Sequence, residues 1–222
     1  MLGPRKTFLL PLLEKGPPSL MASLLLMRHG QIRANVDGLW HGSTDSPLTW
    51  RGRRQAKRAA RFLKRNERIS AIYTSPLERC RNTAGAVAAM LNLPVEVHPE
   101  LREYAIGEWE GLPFRYLHKQ HDFMNLARAD LHFAPPGGES LHQVSTRMVP
   151  AIEELHERHA NDPSDDKILL VSHGAALAVA LATLLEDDPR GWANYPLANC
   201  SLTELVLLPQ PYVNFFNQTL HL

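Results

Sequence analysis

Short apolar runs that alternate with stretches of helical periodicity leave a chain few ways to fold. From residue 23 onward, SLLLMR (23–28), AIYTS (71–75), VEVHP (95–99), ILLVSH (168–173) and LTELVLL (202–208) have strand length and near-continuous apolar character. Such runs suit strands buried on both faces. Helical segments stand between them. Thr49 can cap a helix that runs to about Arg65. Ser75-Pro76-Leu77-Glu78 reads as a capping box with proline at the first helical position, and behind it Cys80, Ala84, Val87, Ala88 and Leu91 share one face. Ser140-Leu141-His142-Gln143 repeats the box ahead of a stripe of Leu141, Val144, Met148, Ile152 and Leu155. Residues 175–185 carry no charge on any side, which predicts a buried helix. The alternation predicts an α/β sandwich with a mainly parallel sheet.

The 222 residues suffice for one domain with its own core, expected over residues 23–222. Hydrophobic residues make up 44% and charged residues 21%, which excludes a disordered chain. No apolar run approaches the roughly 18 residues of a membrane span. The formal charge of +1 points neither to nucleic acid nor to a membrane surface. Cys80 and Cys200 are too few for a disulfide framework and show no metal-binding or redox spacing, so a cytoplasmic protein is expected. Residues 1–22 lack a secretory pattern and are expected to form a poorly ordered extension, with Met21 opening a fresh start at MASLLLMRHG.

Two segments stand out from this frame. Residues 51–68 carry nine Arg or Lys against Glu67, leaving −7 on the rest of the chain. The solvated face of an amphipathic helix explains the run, and a patch for an acidic partner is the alternative. Residues 112–136 hold Phe114, Tyr116, His118, His121, Phe123 and Phe133 and end in Pro135-Pro136-Gly137-Gly138. They read either as a short helix and loop laid over the mouth of the sheet or as a surface excursion.

The chemistry gathers at strand ends. SLLLMR runs straight into His29-Gly30, and ILLVSH runs into Gly174 and a helix. Ligands of open α/β sheets bind at the C-terminal edge of the strands, so Arg28, His29 and His173 are candidates to face one pocket. Glycine permits close approach of backbone to ligand, and a helix opening at Gly174 offers N–H groups to an anion. A metal site would call for more His or carboxylate ligands and would not welcome Arg28 beside it. An oxyanion fits better, because a guanidinium matches a phosphate and keeps a neighbouring imidazole neutral and nucleophilic.

Together these residues carry a resemblance. LLLMRHGQIRAN with HGSTDSPLTWRGRRQA, then TSPLERCRNTA, LREYAIGEWEG, PPGGES, LLVSHG and the ending FFNQTLHL follow, in order, the landmarks of the histidine phosphatase superfamily, the phosphoglycerate mutase-like or "RHG" proteins. The resemblance spans nearly all of residues 23–222. It implies a phosphoglycerate mutase-like fold, a three-layer α/β/α sandwich. It also implies that His29 is the nucleophile and that Arg28, Arg79 and His173 bind the transferring phosphoryl oxygens. Asn35 would add a donor, Gly174 would belong to the substrate site, and Glu103 would protonate the leaving oxygen. Glu108 and Glu110 share Glu103's loop, and the motif selects Glu103, leaving them structural or on the surface. Two positions depart from the family pattern: Ile32 stands where threonine is usual, and His41 replaces the common glutamine before Gly42. Both belong to the expected pocket rim, and His41 is either a substrate contact or a neutral replacement.

The resemblance implies a phosphomonoesterase that hydrolyses a small phosphorylated metabolite through a phosphohistidine, with no metal or other cofactor. No nucleic acid or membrane partner is expected, and the protein would be a monomer or homodimer. Phosphoglycerate mutase-type transfer is the alternative within the family, although mutases typically carry a longer insertion than residues 112–136. A non-catalytic binding module on the same fold is the alternative from another class. Retention of every catalytic residue type argues against it.

Overall fold

A computed structural model describes residues 23–160 and 166–222, so the expectation for residues 1–22 lies outside the described residues. Among the described residues six strands form one sheet: β1 Leu24–Arg28, β2 Ile69–Thr74, β3 Glu96–Val97, β4 Lys167–Ser172, β5 Leu202–Val206 and β6 Tyr212–Gln218. Their spatial order is β3-β2-β4-β1-β5-β6. The first four run parallel, while β5 is antiparallel to β1 and β6 to β5. The sheet is therefore mainly parallel, as the sequence predicts.

Among the described residues seven α-helices complete the fold: α1 Arg33–Asp37, α2 Trp50–Asn66, α3 Glu78–Leu91, α4 Phe114–Gln120, α5 Phe123–Ala129, α6 Leu141–Glu157 and α7 Gly174–Glu186. Successive side chains of a strand point to opposite faces. Leu24, Leu26, Ile168 and Leu170 accordingly face a core that holds Met148 and Ile152 of α6 and Leu177 and Leu181 of α7. Leu25, Met27, Leu169 and Val171 face the other core, with Ala56, Ala60 and Leu63 of α2 and Ala84 and Val87 of α3. The result is the three-layer α/β/α sandwich. Ala175 to Ala182 of α7 are all buried, because the helix packs on every side. Among the described residues no helix is long and apolar enough to cross a membrane.

The caps at Thr49 and Ser140 form as predicted. Thr49 accepts the Gly52 N–H, and Ser140 and Gln143 exchange the two bonds of a capping box. The predicted box at Ser75 does not form. α3 begins two residues later with Leu77 as its N-cap, and the Glu78 N–H finds Asp45 Oδ2 at 2.7 Å instead. A carboxylate from a distant loop thus does the work expected of a local hydroxyl, and the Ser75 hydroxyl, which accepts the Leu77 N–H at 3.3 Å, keeps capacity for a second partner. The run at 95–99 shrinks to the two residues of β3, because Pro99 has no N–H to extend the ladder and opens a 3-10 turn. Strand β6 was not anticipated. Its residues alternate between exposed and half-buried, as an edge strand's do. Residues 112–136 contain two short helices, α4 and α5, rather than one.

Candidate functional site

The register of β1 against β4 builds the centre of the site. Arg28 pairs with Ser172 across the parallel ladder. The next residues, His29 and His173, therefore leave the sheet side by side, their ring centroids 5.2 Å apart. His29 Nδ1 lies 2.8 Å from the Gly30 carbonyl oxygen, which can only accept, so Nδ1 carries the proton. In the neutral ring that leaves the lone pair on Nε2. Burial, with Arg28 and Arg79 nearby, holds the His29 pKa well below the ordinary 6.5, so the ring is neutral at physiological pH. Arg28 is fixed by donating from Nη1 to the Leu197 carbonyl at 2.6 Å. Its Nε is buried without a partner. A Cβ at position 174 would stand 3.1 Å from that Nε and 3.2 Å from Cζ, which explains the glycine: the guanidinium lies against the start of α7.

Arg28, His29, Asn35, Glu103 and Gly174 line one cavity of about 650 Å³. Arg79 and His173 stand behind that wall, both fully buried. Arg79 Nε donates to His173 Nδ1 at 3.1 Å. An arginine cannot accept, so Nδ1 is bare, and His173 Nε2–H donates to Ser75 Oγ at 2.7 Å. Burial and the nearby Arg79 push the His173 pKa well below 6.5 as well. The other end of Arg79 donates to three carbonyls of one loop, those of His41, Gly42 and Thr44. That loop is held from its other side by Glu110, whose carboxylate accepts the N–H groups of Gly42, Ser43 and Thr44. Cys80 is buried beside His173, and its Sγ donates to the Ser172 carbonyl at 3.3 Å. Burial pushes its thiol up, so it is protonated and inert at neutral pH.

Glu103 sits at the start of α7. Its Oε1 accepts from the backbone N–H of Tyr104 at 2.9 Å and of Ala176 at 2.7 Å, while Oε2 has only the Ala175 N–H at 3.3 Å. The loop that carries it is clamped by Arg147 of α6. This guanidinium donates to the carbonyls of Glu100, Arg102 and Glu103 and forms a bidentate pair with Glu139. Burial pushes the Glu139 carboxyl up, but hydrogen bonds from Arg147 outweigh it and hold the pKa below the usual carboxylate range. Asn35 Oδ1 accepts from the Ile32 N–H and from Asn199 Nδ2. Among the described residues, no three His, Cys, Asp or Glu side chains gather where they could share a metal ion.

Sequence reasoning missed four contributors. Asn199 ties Asn35 to the His29 carbonyl, at 3.0 Å from the latter. Ser75 orients His173. Trp40 and Trp192 line the outer cavity, 6.1 Å apart between ring centroids. Trp40 directly precedes His41-Gly42, and that adjacency was the one available signal. Ile32 and His41 both line the cavity; Ile32 also packs against Ala34 and Leu48, and His41 Nδ1 is tied to Ser46 Oγ at 2.9 Å.

With this geometry in place, comparisons with known proteins are specific. The family profile of the histidine phosphatase superfamily (branch 1) matches residues 24–213. Glucosyl-3-phosphoglycerate phosphatase of Mycobacterium tuberculosis is 35% identical over 188 residues, covering 82% of this chain and 84% of that one. A probable phosphoglycerate mutase, GpmB, of Yersinia enterocolitica is 34% identical over 195 residues, covering 87% and 88%. Among solved structures, phosphoserine phosphatase of Entamoeba histolytica in complex with 3-phosphoglyceric acid superposes with a TM-score of 0.80. It has 30% identity, over 90% of this chain and 99% of that one.

Proposed function

Because the chain belongs to the histidine phosphatase superfamily (branch 1), we propose that it hydrolyses a small phosphorylated metabolite through a phosphohistidine at His29, without a metal ion. The observation that carries this reading is the His29 tautomer. Nδ1–H is committed to the Gly30 carbonyl, so a neutral Nε2 is available on a cavity wall next to Arg28. In the first step Nε2 attacks phosphorus, the ester oxygen departs, and Glu103 supplies its proton. Oε2, with its single long hydrogen bond, is the oxygen with capacity to hold that proton. In the second step water attacks phosphorus, Glu103 takes a proton from it, and phosphate leaves a regenerated His29. Phosphoryl transfer depends chiefly on positioning and charge stabilisation. Arg28 meets the phosphoryl oxygens directly, the Asn35 amide adds a donor, and Gly174 lets the group come close to α7. Arg79 and His173 act from behind the nucleophile: they set its electrostatics and fix its neighbours. They reach phosphoryl oxygens only by exchanging the partners they hold here. Phe114 of α4 and Met124 of α5 belong to the cavity wall, which supports reading residues 112–136 as a cover segment.

The test is chemical trapping. Protein treated exhaustively with chelator and mixed with a labelled alkyl phosphate should, after an alkaline quench, carry label on His29 at the untreated level. His29→Ala should lose both label and turnover. Turnover at the wild-type rate in His29→Ala would refute the nucleophile. Label that returned only with added zinc or magnesium would refute metal independence. Label passed to a glycerate acceptor instead of water would favour the mutase reading.

A further inference from the structure

The wall of the cavity beyond Arg28 and His29 limits what can be attached to the phosphate. Among the described residues Arg28 is the single Arg or Lys of that wall, and Glu103 is its carboxylate. Arg28 is already committed to the phosphoryl end. A second anionic group on the substrate would therefore meet no guanidinium or ammonium and would approach a carboxylate. Lost hydration of a buried anion is not recovered without such a partner. His41 is the remaining candidate, and its Nδ1 is tied to Ser46 Oγ.

The outer wall is instead built from rings. Trp40 and Phe114 stack with centroids 5.7 Å apart and planes inclined by 21°. Trp192 meets Trp40 edge-on. The Trp40 indole N–H is satisfied by the Tyr104 carbonyl at 3.2 Å, so the ring offers carbon atoms rather than a donor. Phe114 is 40% exposed and lines the cavity, so a ring-bearing ligand there would cover aromatic surface. A cavity of about 650 Å³ also far exceeds what a three-carbon acid needs, and falls within the range of pockets that enclose ring-bearing molecules.

Resting on the phosphatase reading above, we propose that the alcohol portion of the substrate is uncharged and carries a ring. The ring seats against Trp40, Phe114 and Trp192. Glycerates and phospho-amino acids, which bear a carboxylate, are poor ligands.

Binding can be measured apart from turnover with two hydrolysis-resistant probes, 2-phenylethylphosphonate and 3-phosphonopropionate, followed by tryptophan fluorescence at pH 7.5. The ring-bearing probe should bind at least about tenfold more tightly, the value of one good aromatic contact. Phe114→Ala should narrow the ratio between the probes, and Phe114→Arg should invert it by supplying the missing cation. Equal affinities, or a preference for the carboxylate probe in the wild-type protein, would overturn the proposal. Hydrolysis of 2-phenylethyl phosphate by the same preparation reports separately on the phosphatase reading. Ring preference without any turnover would sustain the ligand class and sink the reaction.

Discussion

The two oxygens of Glu103 have different neighbours, and that difference has a kinetic consequence. Oε1 is held by two short backbone bonds and Oε2 by one long one. If Oε2 delivers a proton to the departing oxygen, its value depends on the basicity of that oxygen. Glu103→Gln should slow His29 phosphorylation by alkyl esters by about 10²–10⁴-fold, while nitrophenyl phosphate, whose phenolate leaves unaided, should hardly change. Single-turnover measurement isolates this step from dephosphorylation. Equal slowing of both esters would remove Glu103 from the acid role. At this scale the sequence was readable where chemistry sits at the end of a contiguous apolar run: Arg28, His29 and His173 follow directly from strands, and their convergence from the parallel register. Ser75 was misread, because its hydroxyl suits a cap and a histidine partner equally well. Asn199 was unreadable, since its partners lie 164 and 170 residues away.

At the scale of elements, the loop carrying Glu103 owes its shape to one arginine of α6. Arg147 serves three backbone carbonyls and a largely buried carboxylate at once. Truncating one partner of such a pair leaves the other charge uncompensated. Arg147→Ala should cost about 3–5 kcal/mol in urea unfolding. Arg147→Lys should restore less than half of this, because a single ammonium cannot reproduce the planar fork. Full restoration by lysine would show that charge alone matters. Elements were legible where local signals agree. α7 follows from its lack of charge and α6 from its capping box and stripe. The start of α3 was misplaced, because the group that caps it comes from Asp45, 33 residues upstream. β6 lacks the continuous apolar run that marked the other strands, and the strand-favouring Tyr212, Val213, Phe215 and Phe216 are broken up by Asn214 and Asn217.

For the molecule as a whole, two buried neutral histidines tie stability to pH. The unfolded chain binds protons on both below about pH 6.5, whereas folded His29 and His173 stay neutral to well below that value. Stability should therefore fall as pH drops from 6.5 toward the depressed folded values, by up to about 1.4 kcal/mol per pH unit for each histidine. His221, lowered by burial, adds a smaller contribution of the same sign. Urea midpoints between pH 7.5 and 5.5 should show this slope, and His173→Gln should reduce it by one proton's share. A flat profile would mean that the rings are charged in the fold. The sandwich itself was legible from alternation alone. The direction of β5 was not, because a buried apolar strand has the same composition whether its neighbour runs with it or against it.

The strand order bears on how the protein comes to exist on the ribosome. β4, made from residues 167–172, lies between β2 and β1, whose residues are synthesised at least 90 positions earlier. Until β4 emerges, the nascent chain holds the β2–β3 pair and β1 as a lone strand, each with backbone edges left open. Open edges of this kind invite pairing with other chains. The same late strand delivers His173 to the side of His29. The strand that joins β2 to β1 also completes the pair of histidines, so an unfinished chain carries the hazard of the open edges while His29 still lacks His173 beside it.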